Sequence, residues 1–244
     1  MRIRVGARTD TGLMRSNNED GYLVREWLFA VADGMGGHSA GEVASYQALL
    51  GLSELCKTDG IPGDEGVLEN HLRQVFERVN QDVHNQARAC PGCDGMGTTL
   101  TAMGLTERGY AYAHVGDSRL YLFRDGLLTQ VTSDHSLVAE LVRNGTLSRA
   151  EAYDHPLSNV LSRAIGVEPE VKVETGQGEI YPGDVFLLCT DGIAGPVEDR
   201  WVSSLLSEEL SPQSKAEKLV ERALELGSTD NVTAVVVQVD KDKG

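Results

Sequence analysis

Apolar residues recur along the chain with two spacings, one typical of strands and one typical of helices. Alternating or continuous apolar runs predict strands, and a spacing of three to four residues predicts helices. The predicted strands lie at 2–8, 21–33, 97–131, 170–190 and 232–239, and the predicted helices begin at Ser39 and near 68, 199 and 212. Within 97–131, the segment Thr106–Gly109 is expected to form the turn of a hairpin.

Three sequence signals mark the starts of helices. Ser39-x-x-Glu42 and Ser148-x-x-Glu151 are capping-box patterns, in which the serine and the glutamate each bond the other's backbone N–H. Pro212 directly follows Ser211, and proline is common at the first position of a helix, after the capping residue. Residues 134–168 hold only short helical pieces between strands, which predicts an insertion that lies on the sheet.

The order of these elements predicts the fold class. Strands come in runs and helices in pairs, which is typical of an α+β fold with mainly antiparallel sheet rather than of βαβ winding. A chain of 244 residues with 41% hydrophobic residues can bury a sizeable core. We therefore expect a single domain at 1–244, with residues 134–168 as a small subdomain.

The charge balance argues against two classes of partner. The chain has 37 acidic and 22 basic residues and a net charge of −15, a field that repels nucleic acid and anionic membranes. No apolar run is long enough for a signal peptide or a membrane-spanning helix. The sequence predicts a cytoplasmic protein with no nucleic-acid or membrane partner.

Two of the four cysteines, Cys90 and Cys93, form a C-x-x-C pair. No second pair or suitably spaced histidine follows to complete a zinc site. A redox motif would require a strand-to-helix context, whereas this pair follows a long helical pattern. We interpret both residues as incidental thiols.

Acidic residues recur at the ends of the apolar strands. They are Glu19, Asp20, Asp33, Asp117, Asp191 and Asp230. Should these ends converge, at least five carboxylates share a small volume, so either their pKa values rise or cations neutralise them. All the candidate ligands are oxygens, which favours Mg²⁺ or Mn²⁺, with Ca²⁺ as an alternative.

A simpler explanation applies to each Asp-Gly pair taken alone. Asp followed by Gly after a strand is a common turn signal, so the metal-site hypothesis depends on the whole set. Two phosphate-binding motifs are absent: Ser39 stands where the G-x-G-x-x-G fingerprint beginning at Gly34 requires glycine, and no P-loop pattern occurs.

Seven short motifs occur in an order that resembles the metal-dependent type-2C serine/threonine protein phosphatases, in their short bacterial form. They are Arg15–Asp20 (RSNNED), Val31–His38 (VADGMGGH), Gly97–Thr99 (GTT), Val115–Arg119 (VGDSR), Asp134–Ser136 (DHS), Thr190–Gly192 (TDG) and Thr229–Thr233 (TDNVT). Each motif alone is weak, but seven in family order across nearly the whole chain are specific.

The resemblance implies a fold and a set of ligands. Two packed antiparallel sheets are expected between helix pairs, a four-layer αββα sandwich, with 134–168 as the family's flap. Two to three Mn²⁺ or Mg²⁺ ions are expected. The residues that match the family's metal ligands are Asp20, Asp33, the Gly34 carbonyl, Asp117, Asp191 and Asp230, with Glu19 acting through water.

The resemblance also implies that Asp33 and Arg15 carry the reaction. Asp33 would bridge two ions that activate the attacking water. The planar guanidinium of Arg15 suits two oxygens of the substrate phosphate. Asp117 would share a third, weaker ion with Asp191.

One position departs from the family pattern. Many members have a histidine directly after the metal-binding Asp-Gly, proposed to protonate the leaving group, and Met35 stands there instead. His38 is a candidate substrate contact, with a helix-start histidine as the alternative. His135 and His155, in the flap, could influence substrate access but are not expected to act in catalysis.

The expected function is hydrolysis of phosphoserine and phosphothreonine in other proteins by a monomeric enzyme that opposes a bacterial Ser/Thr kinase. Three alternatives stay open: a catalytically weak module that docks phosphoproteins, a hydrolase of small phosphoesters, and a Ca²⁺-stabilised structural protein. The presence of all five metal-site aspartates argues against the first, and the third leaves Arg15 without a role. The flap is the segment expected to select the substrate.

Overall fold

The structure, a computed structural model, describes residues 2–36, 40–55, 63–93, 95–148, 151–152 and 155–240. The strands in these ranges are β1 Ile3–Asp10, β2 Asp20–Val24, β3 Leu28–Met35, β4 Gly97–Thr98, β5 Leu100–Leu105, β6 Gly109–Val115, β7 Arg119–Arg124, β8 Leu127–Gln130, β9 Glu174–Glu179, β10 Val185–Cys189 and β11 Val232–Val239. The helices are α1 Ala40–Leu55, α2 Glu65–Ala89, α3 Leu137–Arg143, α4 Asp191–Ala194, α5 Asp199–Ser207 and α6 Pro212–Glu225.

Within the described ranges the strands form two antiparallel sheets. One sheet has the order β1-β11-β10-β7-β8, and the other has the order β2-β3-β5-β6-β9, with β4 paired to β3. Helices α1 and α2 cover the outer face of the second sheet, and α4, α5 and α6 cover the outer face of the first. A third apolar cluster joins the inner faces. The predicted α+β fold of two packed sheets flanked by helices is confirmed.

Strand β3 shows how the layers are held together. Leu28, Ala30 and Ala32 pack with the helices, while Phe29 and Val31 point the other way and pack between the sheets. Because both faces of the strand are buried, its sequence is a continuous apolar run. Tight packing on both sides also holds the polar residues at the end of the strand in place.

Two predicted strands prove to be broken. The segment 21–33 is a hairpin of β2 and β3, because polar Arg25 and Glu26 form a turn closed by the Arg25 N–H and the Leu28 carbonyl at 2.9 Å. The run after Gly109 breaks at Gly116, which has a φ of +116°. There the chain leaves β6 in one sheet and enters β7 in the other.

The predicted helix starts agree with the structure where it describes them. Ser148 N–H donates to Glu151 Oε2 at 2.8 Å, and Glu151 N–H donates to Ser148 Oγ at 3.3 Å. Pro212 is the first residue of α6, and Ser211 Oγ accepts from Ser214 N–H. The cap predicted at Ser39 lies outside the described residues.

The interpretation of Cys90 and Cys93 as incidental thiols needs correction, because they form a disulfide with Cα atoms 5.5 Å apart. The Cys93 N–H donates to the Cys90 carbonyl at 3.2 Å and closes a turn through Pro91 and Gly92. Gly92 has a φ of +89°, as the third residue of a type II turn requires. This turn brings the cysteines within disulfide range.

No helix in the described part of the chain combines the length and the apolar composition that crossing a membrane requires.

Candidate active site

The acidic strand ends meet at one edge of the sandwich. Asp20 lies directly opposite Asp33 in the antiparallel pair of β2 and β3. In the other sheet, Asp191 follows β10, and Asp230 precedes the neighbouring strand β11. Asp117 lies where the chain passes between the sheets. These residues come from both sheets, so the site depends on the packing of one sheet on the other.

A cavity of about 200 Å³ opens at this edge. Its lining residues are Arg15, Glu19, Asp33, Gly34, Met35, Gly36, Thr99, Asp117, Asn159, Leu161, Asp191 and Asp230. Four of the five aspartates singled out in the sequence therefore face one cavity, together with Arg15, Glu19 and Gly34. Asp20, the cross-strand partner of Asp33, is not among the lining residues.

Asp20 is held by two threonines that sequence reasoning left without a role. Its Oδ2 atom accepts hydrogen bonds from Thr190 Oγ1 at 2.8 Å and from Thr233 Oγ1 at 2.7 Å. Thr190 directly precedes Asp191, and Thr233 ends the motif that contains Asp230. Their places in these two motifs are the signal that could have identified them. Their bonds leave the other carboxylate oxygen of Asp20 free.

The backbone of Asp33 is fixed on both sides. Asp33 N–H donates to Thr99 Oγ1 at 2.9 Å, and Thr99 N–H donates to the Asp33 carbonyl at 2.8 Å. A Cβ on Gly34 would lie 2.1 Å from the Gly41 carbonyl oxygen, so helix α1 can approach only because position 34 is glycine. The Gly34 N–H donates to the Glu19 carbonyl at 3.1 Å.

Arg15 lies at the rim of the cavity, on a loop that Asn231 holds. Arg15 Nη2 donates to Asp230 Oδ2 at 2.7 Å. Asn231 Nδ2 donates to the carbonyls of Thr11 and Asn17, at 2.8 and 2.9 Å, and its Oδ1 accepts from Glu19 N–H at 2.8 Å. Sequence reasoning missed this positioning role of Asn231, whose signal is its place directly after Asp230.

Burial and mutual repulsion raise the pKa values of the clustered carboxyls. Burial, followed by the charge of Asp20, raises the pKa of Asp33 well above its ordinary value. Burial raises the pKa of Asp20 to about 7, against the threonine hydrogen bonds. Burial and the charge of Asp191 raise the pKa of Asp117 to about 8, and burial and the charge of Asp230 raise that of Asp191. In the absence of a cation, these carboxyls therefore keep their protons to a higher pH than isolated carboxyls do.

Two carboxylate oxygens in the cluster are buried without a hydrogen-bond partner among the described residues: Asp20 Oδ1 and Asp191 Oδ1. An unsatisfied buried oxygen costs about 1–3 kcal/mol, more when it is charged. No three acidic, histidine or cysteine side chains in the described ranges already surround a common point. The oxygen-only donor set and the two unpartnered oxygens nevertheless fit hard divalent cations.

None of the histidines that the structure describes lines the cavity; Met35 does. His38 lies outside the described residues. Burial lowers the pKa of His114 to about 4, and its Nδ1 lies 2.8 Å from Thr101 Oγ1, as expected of a structural histidine. His155 Nδ1 accepts from Leu157 N–H at 3.2 Å within the flap.

Comparisons relate the chain to known proteins. A family model described as Protein phosphatase 2C matches residues 16–237. The chain is 42% identical over 243 residues to the serine/threonine protein phosphatase PstP of Mycobacterium tuberculosis, over 99% of this chain and 46% of that protein. It is 38% identical over 238 residues to the serine/threonine phosphatase stp of Listeria monocytogenes, over 96% of this chain and 94% of that protein. The chain therefore spans about half the length of the mycobacterial relative and nearly all of the listerial one.

A solved structure has the same architecture. The catalytic domain of the serine/threonine protein phosphatase PstP, in complex with two manganese ions, matches with a TM-score of 0.89 at 39% sequence identity. The match covers 98% of this chain and 99% of that one.

Proposed function

The chain belongs to the protein phosphatase 2C family, and we propose from this premise that it removes phosphate from phosphoserine and phosphothreonine in other proteins. The observation that carries the proposal is one cavity lined by four aspartates, with an arginine at its rim. The named relatives, both serine/threonine phosphatases, support the same activity.

Divalent cations, Mn²⁺ or Mg²⁺, complete the proposed site. The residues assigned to hold them are Asp20, Asp33, the Gly34 carbonyl, Asp117, Asp191 and Asp230, with Glu19 acting through water. The unpartnered oxygens of Asp20 and Asp191 support this assignment, as does the manganese complex of PstP. When bound, such ions supply Lewis-acid activation of water and neutralise negative charge on the phosphate.

Arg15 binds and orients the phosphate in this proposal. One of its five N–H donors is occupied by Asp230, which leaves the rest of the guanidinium for phosphate oxygens. Its positive charge opposes the rise that burial causes in the pKa of Glu19, so Arg15 also helps to keep a carboxylate ionised at the rim.

We propose water as the donor of the proton to the leaving serine or threonine oxygen. Met35 cannot donate a proton, and no histidine in the described ranges reaches the cavity. Substitution of Met35 is therefore expected to alter packing around the cavity more than the pH dependence of turnover.

The test is release of phosphate from a phosphothreonine peptide by chelator-stripped protein, with and without Mn²⁺. We expect turnover that requires Mn²⁺ and is abolished by Asp191→Asn. Asp82→Asn is the matched control, because Asp82 is exposed on α2, away from the cavity. Folded protein that binds Mn²⁺ without turnover would overturn the proposal and favour a phosphoprotein-docking role.

Two further measurements separate the remaining alternatives. Competition of phosphopeptides against a small phosphoester distinguishes a protein phosphatase from a hydrolase of small esters. A Ca²⁺-stabilised structural protein would show a metal-dependent melting temperature and no turnover. The monomeric state, the opposing kinase, the cytoplasmic location and the single-domain arrangement at 1–244 stay predictions from the sequence.

A further inference from the structure

Gly116 is the residue through which the chain leaves β6 and reaches Asp117. The β5–β6 ladder ends one residue earlier, at the pair of Leu100 and Val115. The Gly116 N–H therefore lies beyond the ladder, and it donates to the Nδ1 atom of His135 at 3.2 Å. The His135 N–H donates back to the Gly116 carbonyl at 2.7 Å. One residue thus binds both backbone groups of the glycine that precedes Asp117.

The opposite side of the His135 ring faces charged residues. His135 is 2% exposed, and its Nε2 atom lies 3.3 Å from Glu174 Oε2 and 3.1 Å from Arg163 Nη1. Because Nδ1 must be unprotonated to accept from Gly116, the proton of the neutral ring belongs on Nε2, where it can be donated to the Glu174 carboxylate. Arg163 only donates, so its contact with Nε2 is then not a hydrogen bond. Glu174 is held in turn by the Ser133 N–H, which donates to its Oε1 at 3.1 Å.

His135 also lies where the two ends of the flap meet. Its carbonyl accepts from the Ser162 N–H at 2.8 Å, and the neighbouring residue Ser136 pairs with Leu161. Leu161, on the returning segment, lines the cavity. The same histidine therefore contacts the support of Asp117 and the base of the flap.

We propose that His135 is a positioning residue that orients Asp117 through Gly116 and couples this carboxylate to the flap. The inference rests on the proposed metal-dependent function, since it assigns Asp117 to a divalent cation. Loss of the Nδ1 acceptor leaves a buried N–H unsatisfied and frees Gly116, whose backbone conformation is unfavourable for most residues. Asp117 then binds its cation less tightly.

Two substitutions separate the two sides of the ring. In His135→Asn the amide oxygen can take the place of Nδ1 and still accept from Gly116, but it cannot reach Glu174. In His135→Gln the longer side chain can reach the Nε2 position, and the Nδ1 acceptor is lost. We expect His135→Gln to weaken the calorimetric affinity for the weakest-bound Mn²⁺ about tenfold, as loss of an outer ligand partner commonly does. His135→Asn should retain most of the wild-type affinity.

Amide hydrogen exchange at Gly116 gives a readout independent of turnover. Exchange should accelerate about tenfold or more in His135→Gln, because one protecting hydrogen bond is lost. It should stay near the wild-type rate in His135→Asn, in which that bond is kept. Since neither calorimetry nor exchange requires activity, failure of the phosphatase proposal would leave this test intact. Should His135→Gln not fold, Glu174→Leu removes the partner of Nε2 and should give a smaller shift in the same direction.

A double-mutant cycle tests whether His135 acts through Asp117. In an Asp117→Asn background, His135→Gln should produce no further loss of Mn²⁺ affinity, because the ligand that it positions is already removed. The inference is overturned if the asparagine and glutamine variants lose affinity equally. A loss from His135→Gln that persists undiminished in the Asp117→Asn background would also overturn it.

Discussion

The Nη2 atom of Arg15 lies 2.7 Å from the Oδ2 atom of Asp230. The residue assigned to the phosphate is thus hydrogen-bonded to a carboxylate assigned to a cation. Asp230 precedes β11, and Arg15 lies on the loop that Asn231 holds, so neighbouring residues position both partners. In the proposed assignment, the phosphate and metal subsites are therefore joined at this pair rather than independent.

Replacement of Arg15 tests this joint role. Arg15→Ala should lower kcat/KM for a phosphopeptide about a hundredfold, as removal of one strong donor to a reacting oxyanion commonly does. Arg15→Lys keeps the charge but not the planar fork, so an intermediate loss is expected. Steady-state kinetics at saturating Mn²⁺ measure both.

A matched control distinguishes the site from general charge. Arg200 is exposed and pairs with Glu198 outside the cavity, so Arg200→Ala should leave kcat/KM within about twofold of wild type. Equal effects at the two positions would contradict a phosphate role for Arg15.

The raised pKa values of Asp20, about 7, and Asp117, about 8, predict how the stability of the metal-free protein depends on pH. In the unfolded chain these carboxyls lose their protons near about pH 4, whereas in the folded protein they keep them to higher pH. The folded state binds more protons between these limits, so the free energy of unfolding falls as pH rises. The melting temperature of chelator-stripped protein should therefore fall between about pH 5 and pH 8.

Two comparisons isolate the cause of that fall. Asp117→Asn removes one titrating group and should show a shallower decline than wild type. Added Mn²⁺ replaces the protons and should reduce the decline further, because metal binding requires ionised ligands. A wild-type melting temperature that rises over the same range would contradict the clustered carboxyls as the cause.

Local sequence patterns predicted much of this fold, and the reasons are visible in particular residues. The continuous apolar run of β3 and the caps at Ser148 and Ser211 depend on neighbours within a few residues. Asp20, in contrast, is held by threonines 170 and 213 residues away, which no local pattern can pair. The break at Gly116 likewise depends on which sheet receives the next strand, a choice set by long-range packing.

The disulfide between Cys90 and Cys93 predicts a stability effect that the sequence interpretation had not included. Closing so short a loop contributes about 2 kcal/mol through the entropy of the unfolded chain. For a chain of this size, reduction or Cys90→Ser/Cys93→Ser should lower the melting temperature by about 4–8 °C. Reductant should not change the double variant further. A wild-type melting temperature insensitive to reductant would show that this bond does not contribute.

The flap is expected to select substrates through a second cavity, of about 560 Å³, that shares Asp117, Asn159 and Asp191 with the first. Peptide residues beside the phosphorylated one can extend into it, and Ala139 of α3 lines its wall. Ala139→Trp should fill this space and raise KM for a phosphopeptide about tenfold, a cost of about 1.4 kcal/mol, without affecting p-nitrophenyl phosphate. Ala89→Trp, on the exposed end of α2, is the control. Exchange of residues 134–168 with those of a relative should likewise change phosphopeptide preference. Equal changes for both substrates in Ala139→Trp would mean that the cavity affects the reaction centre instead of substrate choice.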